Sequence, residues 1–104
     1  MKILFNTDSN VTVSKELRIS FTSLISEELT RFSHQITRVE VHLSDEDGDK
    51  EGLNDKRCTI EARLEGMKPI AVTNHASNQE QSVEGAIDKL KSSLDTIIGR
   101  LRNH

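Results

Sequence analysis

The chain has 104 residues, 34% of them hydrophobic, and carries 14 Lys and Arg against 17 Asp and Glu, a net charge of −3. This length suits one domain with one core, and we expect residues 1–104 to form a single domain. No apolar run approaches the ~18 residues of a membrane span, and the N-terminus lacks the apolar stretch of a signal peptide. A single cysteine excludes a disulfide framework and a cysteine-based zinc site, so the expected location is a reducing cytoplasm.

The negative charge is concentrated in residues 45–56, which contain six acidic and two basic side chains. We interpret this segment as a long solvated loop, and the rest of the chain is close to neutral. Asp45, Asp47 and Asp49 match the first three ligand positions of a calcium loop. Lysines, however, occupy the positions that need the turn glycine (Lys50) and the bidentate glutamate (Lys56). No metal site is therefore predicted.

A strand and a helix are predicted first. Lys2 to Asn6 is a short apolar run followed by residues that favour turns. Ser14 is the expected N-cap of a helix that should end near Ser33–His34. Ile19 falls outside the apolar stripe of this helix and is expected to be exposed, and Glu28 interrupts the stripe. The stripe consists of Leu17, Phe21, Leu24, Ile25, Leu29 and Phe32.

Three more strands and a second helix follow. From Ile36 to Ser44 apolar and polar residues alternate, the period-2 pattern of a half-buried strand, and we expect this strand to be central in a sheet. Arg57 to Glu65 alternates in the same way. After a turn at Gly66–Pro69, a fourth strand is predicted over Ile70–Asn74.

The last helix has the clearest pattern. Residues 77–80 (Ser-Asn-Gln-Glu) fit a capping box that begins at Ser77. Helically spaced apolar residues follow at Val83, Ala86, Ile87, Leu90, Leu94, Ile97, Ile98 and Leu101. The order β-α-β-β-β-α predicts an α+β fold, a two-layer sandwich with a four-stranded mixed sheet and two helices on one face.

Residues for catalysis or cofactor binding are not apparent. Cys58 is on the apolar face of its predicted strand, which favours a buried core thiol over a nucleophile. The sequence contains no Gly-rich phosphate loop and no Ser/His/Asp arrangement. The histidines lack the spacing of a ligand set: His34, His42, His75 and His104. We predict that the protein is not an enzyme and has no cofactor.

Basic residues remain as candidates for a binding surface. Lys89 and Lys91 are on the polar side of the last helix. Five charged residues are expected on the open face of the sheet: Arg38, Arg57, Arg63, Glu40 and Glu61. No aromatic residue is on the exposed face of a predicted strand, so base stacking has no platform. By itself, this mixed charge is more typical of a solvated surface than of an RNA-binding one.

Four stretches, in the right order along nearly the whole chain, resemble a known family. They are Ile36–Glu46, Asp55–Arg57, Ile60–Arg63 and Ala86–Leu90. The family is that of the ribosome hibernation-promoting factors and ribosome-associated inhibitors, in its short form. The resemblance implies a sandwich similar to double-stranded-RNA-binding domains, docked in the small ribosomal subunit where mRNA and tRNA would lie. It also implies that the protein inhibits translation or stabilises idle ribosomes under stress.

Specific contacts are also implied by the resemblance, because family members carry basic residues along both helices. The partner would be the small subunit with its rRNA, with no membrane and no small-molecule substrate. The chain departs from the family after Leu94, where Asp95 and Thr96 replace the usual basic residues. The candidate rRNA contacts are Lys89, Lys91, Arg18, Arg31, Arg38, Arg57 and Arg63.

One alternative is a protein-interaction module of the same fold that has lost RNA binding. The spatial grouping of four basic residues separates the two hypotheses: Arg18, Arg31, Lys89 and Lys91. A single patch without carboxylates would favour RNA binding, and interspersed acidic residues would favour a protein partner.

Overall fold

The computed structural model describes residues 1–9, 11–45 and 55–102. Its elements are β1 (Lys2–Thr7), α1 (Lys15–Glu28), a 3₁₀ turn (Thr30–Phe32), β2 (Ile36–Asp45), β3 (Lys56–Leu64), β4 (Ile70–Ala76) and α2 (Gln79–Arg102). The strands lie in the order β1-β2-β3-β4, with β1 parallel to β2 and the other neighbours antiparallel. The predicted α+β fold and its element order are confirmed.

The core lies between one face of the sheet and the two helices. Alternation in β2 buries Val39, Val41 and Leu43 completely, because their side chains share the face that the helices cover. Phe5 of β1 stacks on Phe21 of α1, with ring centroids 6.0 Å apart. Among its described side chains, the longer helix buries Val83, Ala86, Ile87, Leu90, Leu94 and Ile98, and Ile97 is half-buried. Ile36 is out of phase with these three residues of β2, and a register shift between Ile36 and Arg38 allows it to be buried as well.

α1 is shorter than predicted. It begins after Ser14, whose side chain accepts a hydrogen bond from the Leu17 amide, as expected. It ends at Glu28, because Leu29 has left helical geometry (φ −101°, ψ 10°), and the chain tightens into the 3₁₀ turn. This turn buries Phe32, which would continue the apolar stripe in a longer helix. The exposure of Ile19 is confirmed at 57%.

The N-terminus of α2 differs from the predicted capping box. The side chain of Asn78, one residue after Ser77, accepts the hydrogen bond from the Gln81 amide at 2.8 Å. The Ser77 hydroxyl instead donates to the Gln81 side chain. Asn is as good an N-cap as Ser, so Asn78 can cap the helix in place of the predicted Ser77.

The ends of the acidic segment are not solvated as predicted. Asp45, the last residue of β2, and Asp55, which directly precedes β3, are buried, with 9% and 4% of their surface exposed. Lys56 Nζ contacts both carboxylates, at 2.6 Å from Asp45 and 3.3 Å from Asp55. Hydrogen bonding to Asp45 raises the pKa of Lys56. The calcium-loop comparison depends mainly on Asp47, Asp49 and other positions outside the described residues.

Candidate nucleic-acid interface

The open face of the sheet, on the side away from the helices, presents a patterned set of charges. The register places Arg38 of β2 directly opposite Arg63 of β3, and Glu40 opposite Glu61. Like charges opposite each other repel, so each residue pairs along its own strand instead. Arg38 lies 3.1 Å from Glu40 and Arg63 lies 3.4 Å from Glu61. Two arginines therefore form one row, and two glutamates form the row beside it.

Arg57 is on the same face but at its other end. It is opposite Ser44, and its Nε donates a 2.9 Å hydrogen bond to the Ser44 hydroxyl. Between Arg57 and the two other arginines lie the glutamate row and the pair of His42 and Thr59. The three arginines share the open face, as the alternation predicted, but they form two separate groups.

Two of the candidate cations on the helical side are paired with acidic residues. Arg31 makes two hydrogen bonds to Asp95, at 2.6 and 2.9 Å, and its guanidinium lies over the Phe32 ring. Hydrogen bonding within this pair raises the pKa of Arg31 and lowers that of Asp95. Lys91 Nζ lies 3.1 Å from a carboxylate oxygen of Glu28. Both pairs connect α2 with α1 or the turn that follows it.

The other two candidates on this side lie apart from these pairs. Lys89 donates a 2.8 Å hydrogen bond to the backbone carbonyl of Thr73 in β4, so it points away from α1. Arg18 lies near the start of α1, with its guanidinium 5.8 Å from the centre of the Phe5 ring. The four helical cations do not form one patch free of carboxylates. Acidic residues are interspersed among them, the arrangement that favours the protein-partner alternative.

Cys58 and His42 are two other reactive side chains in the described part of the chain. Cys58 is fully buried, as predicted, and burial raises the pKa of its thiol to about 12. His42 Nε2 lies 2.6 Å from a carboxylate oxygen of Asp8, a contact that sequence reasoning did not predict. Within residues 1–9, 11–45 and 55–102, no three His, Cys, Asp or Glu side chains are grouped to hold a metal ion. None of the described helices combines the length and apolar character needed to cross a membrane.

The acidic partners of the basic residues are the main feature that the sequence reasoning missed. In the sequence, Glu28 interrupts an apolar stripe and Asp95 departs from the basic pattern that the family resemblance implies. Each is an ion-pair partner of a residue more than 60 positions away in the chain. A single sequence contains no signal for pairs at such a distance.

The solved structures that share this fold include the following two proteins. The N-terminal domain of Protein Y from Thermus thermophilus matches with a TM-score of 0.72 and 18% identity, over 93% of this chain and 99% of that one. A ribosomal subunit interface protein from Coxiella burnetii matches with a TM-score of 0.74 and 18% identity, over 95% and 99% of the two chains. Among curated proteins, no sequence matches.

The family model described as sigma 54 modulation protein / S30EA ribosomal protein matches residues 5–102. The match includes all four stretches on which the resemblance to hibernation factors depends. Because it spans nearly the whole sequence, the chain belongs to the sigma 54 modulation protein / S30EA ribosomal protein family.

Proposed function

We propose that the protein is a non-enzymatic, cytoplasmic factor that binds the small ribosomal subunit through its rRNA. In this role it inhibits translation or stabilises idle ribosomes under stress. The observation that carries the proposal is the family match over residues 5–102. The names of the structural neighbours, one of them a ribosomal subunit interface protein, support it. The family is one of ribosome-associated factors and not of enzymes.

The arginine row is the best candidate for direct phosphate contact on the sheet. Arg38 and Arg63 lie opposite each other on neighbouring strands, on the face of the sheet that neither described helix covers. Their side chains are 34% and 50% exposed, so an RNA backbone can reach both. Each phosphate that a cation neutralises releases counterions, which makes binding fall with salt.

The helical side supports weaker binding than a freely exposed set of cations would. A phosphate that approaches Lys91 or Arg31 must displace Glu28 or Asp95, and these carboxylates repel it. We therefore expect affinity that is measurable at low salt and much reduced near physiological salt. The acidic partners become a means of testing the proposal, because their removal should strengthen binding.

The test is co-sedimentation of the purified protein with small subunits and with whole ribosomes at low and near-physiological salt. Glu28→Gln together with Asp95→Asn releases Lys91 and Arg31, and this variant should sediment at higher salt than the parent. A control with the same change of net charge, Glu16→Gln together with Glu65→Gln, should shift retention much less. An equal shift in both variants would show that net charge alone controls the interaction.

Loss-of-binding variants test the individual surfaces. Arg38→Glu with Arg63→Glu should abolish retention if the sheet contacts rRNA, and Lys89→Glu with Lys91→Glu should do so if the second helix does. Retention of both variants at the level of the parent would contradict the proposed contacts. Circular dichroism of each variant checks that the fold is intact.

The second candidate function is binding of a protein partner by a fold that has lost its RNA surface. The observation that favours it is the neutralisation of Arg31 by Asp95 and of Lys91 by Glu28. The absence of sedimentation with ribosomes even at low salt would exclude the ribosomal proposal and leave this alternative.

A further inference from the structure

The two edges of the sheet differ in how their backbone groups are satisfied. The Asp8 amide donates to the Leu43 carbonyl of β2 at 3.1 Å. Amide directions alternate along a strand, so the amides of Lys2, Leu4 and Asn6 also face β2. The backbone N–H and C=O groups of the intervening residues, Ile3, Phe5 and Thr7, therefore point out of the sheet.

The opposite edge is protected by the protein itself. At β4 the Thr73 carbonyl points outward and accepts a hydrogen bond from Lys89 Nζ at 2.8 Å. The Asn74 side chain donates to the carbonyls of Gln81 and Ser82, which fixes the end of this strand against α2. An edge that side chains of another element cover is protected against pairing with a further strand.

β1 has no such protection within the described part of the chain. There, no hydrogen bond reaches the outward backbone groups of Ile3, Phe5 or Thr7. The strand reads Lys-Ile-Leu-Phe-Asn-Thr, with one charge and no proline, and Ile3, Leu4 and Phe5 are only half-buried. An unprotected, largely apolar edge strand is a template for another strand.

We propose that this edge binds a second copy of the chain, with β1 antiparallel to β1 of the partner and a two-fold axis at Phe5. The two sheets would join into one continuous sheet with both pairs of helices on the same side. Phe5 would be opposite its own copy, and Ile3 opposite Thr7 of the partner. All three positions present outward amides, so each pair can exchange both of its backbone hydrogen bonds.

Side-chain charge selects this register. Directly opposite residues in an antiparallel pair share a face of the sheet, so the axis must pass through a residue and not between two residues. With the axis at Phe5, Lys2 of each copy lies opposite Asp8 of the other, on the open face. With the axis at Leu4, Lys2 would instead lie opposite Asn6 and would face no opposite charge, while Asp8 would keep only its contact with His42. Opposite charges at facing positions stabilise the pairing of strands.

The first test is the molar mass of the full chain in solution, measured by sedimentation equilibrium over a range of concentrations. The parent should associate reversibly into a dimer. Thr7→Pro removes one outward N–H in each copy and should raise the dissociation constant by at least about tenfold. The matched control is Ala71→Pro, at an exposed outward position of β4, and it should leave the dimer unchanged.

A monomer at all concentrations would overturn the proposal, and so would equal weakening by Thr7→Pro and Ala71→Pro. Circular dichroism of Thr7→Pro establishes whether the variant folds. If it does not fold, the cross-linking experiment that follows decides, because it retains the backbone of β1.

The second test determines the register by disulfide formation. In the proposed pairing Leu4 lies opposite Asn6 of the partner at a non-hydrogen-bonded position, where the Cα separation of about 4.5 Å permits a disulfide. Leu4→Cys and Asn6→Cys chains, mixed and oxidised, should form the mixed dimer, and neither should cross-link efficiently alone. Efficient cross-linking of Leu4→Cys with itself would place the axis at Leu4 and overturn the proposed register. Because Cys58 is fully buried, any disulfide-linked dimer should form through the introduced thiols.

Discussion

At the level of single residues, most of the proposed helical RNA contacts already have a partner within the protein. Lys91 and Arg31 contact carboxylates, and Lys89 contacts a backbone carbonyl. The basic positions are read directly from the sequence, and the periodicity of each element predicts the side on which they lie. It does not predict these partners, which lie on other elements. Phosphate binding at Lys91 or Arg31 exchanges one charged partner for another, so it gains less free energy than binding at a free cation.

Cys58 provides a prediction at the same scale. Its thiol is fully buried and has a pKa of about 12, so almost no thiolate is available at pH 8. We expect a thiol reagent such as Ellman's reagent to modify native protein far more slowly than free cysteine, and to modify it completely in denaturant. Thr59→Cys, the next residue but on the open face, is the matched control and should react rapidly. Modification of native Cys58 at the rate of free cysteine would contradict the buried position.

At the level of elements, the sequence predicts the type and order of the helices and strands well, and the ends of the helices less well. Every strand boundary lies within two residues of its prediction, because alternation is a local signal. The end of α1 is set by tertiary packing, since the chain leaves the helix to bury Phe32. The N-cap of α2 is similarly a choice between Ser77 and Asn78, and local sequence permits both.

Two glycines of α2 should respond in opposite ways to the same substitution. A Cβ at Gly85 would overlap the side-chain amide of Asn74, which is fixed by its bonds to the start of α2. We expect Gly85→Ala to lower the free energy of unfolding by about 1–3 kcal/mol. A Cβ at Gly99 meets no atom within 4 Å, and Ala is the better helix former, so Gly99→Ala should raise it by about 0.5–1 kcal/mol.

Urea unfolding of the two glycine variants beside the parent measures both changes, and each variant is the control for the other. A second change in the Gly85→Ala background, Asn74→Ala, removes the overlapping amide and should restore part of the loss. Equal effects of alanine at the two glycines would show that helix propensity alone sets the change in stability. The close contact between α2 and β4 at Gly85 would then have no effect on stability.

At the level of the whole molecule, the architecture follows from patterns that each element contains separately. Each strand has one apolar face and each helix one apolar stripe, and a two-layer sandwich buries all of them together. The helix between β1 and β2 also explains why these strands are parallel, since parallel strands need a long crossover. Charge distribution could not be predicted in the same way. Asp45 and Asp55 are buried because Lys56 lies between them, and a charge count reveals only an acidic segment.

Two ion-pair systems should limit the stability of the whole fold from opposite sides of neutral pH. Hydrogen bonding to Arg31 lowers the pKa of Asp95 in the folded state. The unfolded chain therefore binds a proton first as pH falls below about 4, and the contribution of this pair is lost in acid. Hydrogen bonding to Asp45 raises the pKa of Lys56. The contribution of Lys56 is complete below its unfolded pKa of about 10.4 and is lost as pH rises through the folded value.

Urea unfolding between pH 2 and 11 should therefore show a plateau with a decline at each end. Asp95→Asn should flatten part of the acid decline and leave the alkaline decline unchanged, whereas Lys56→Met should do the reverse. Lys56→Met should also be the less stable variant at pH 7, because it removes a cation that contacts two buried carboxylates, while Asp95 is half-exposed and screened by solvent. If both variants retained the pH profile of the parent, other ionisable groups would cause the loss of stability in acid and in alkali. If Asp95→Asn were the more damaging at pH 7, the bridge between α2 and the 3₁₀ turn would matter more than the buried cluster that joins β2 to β3.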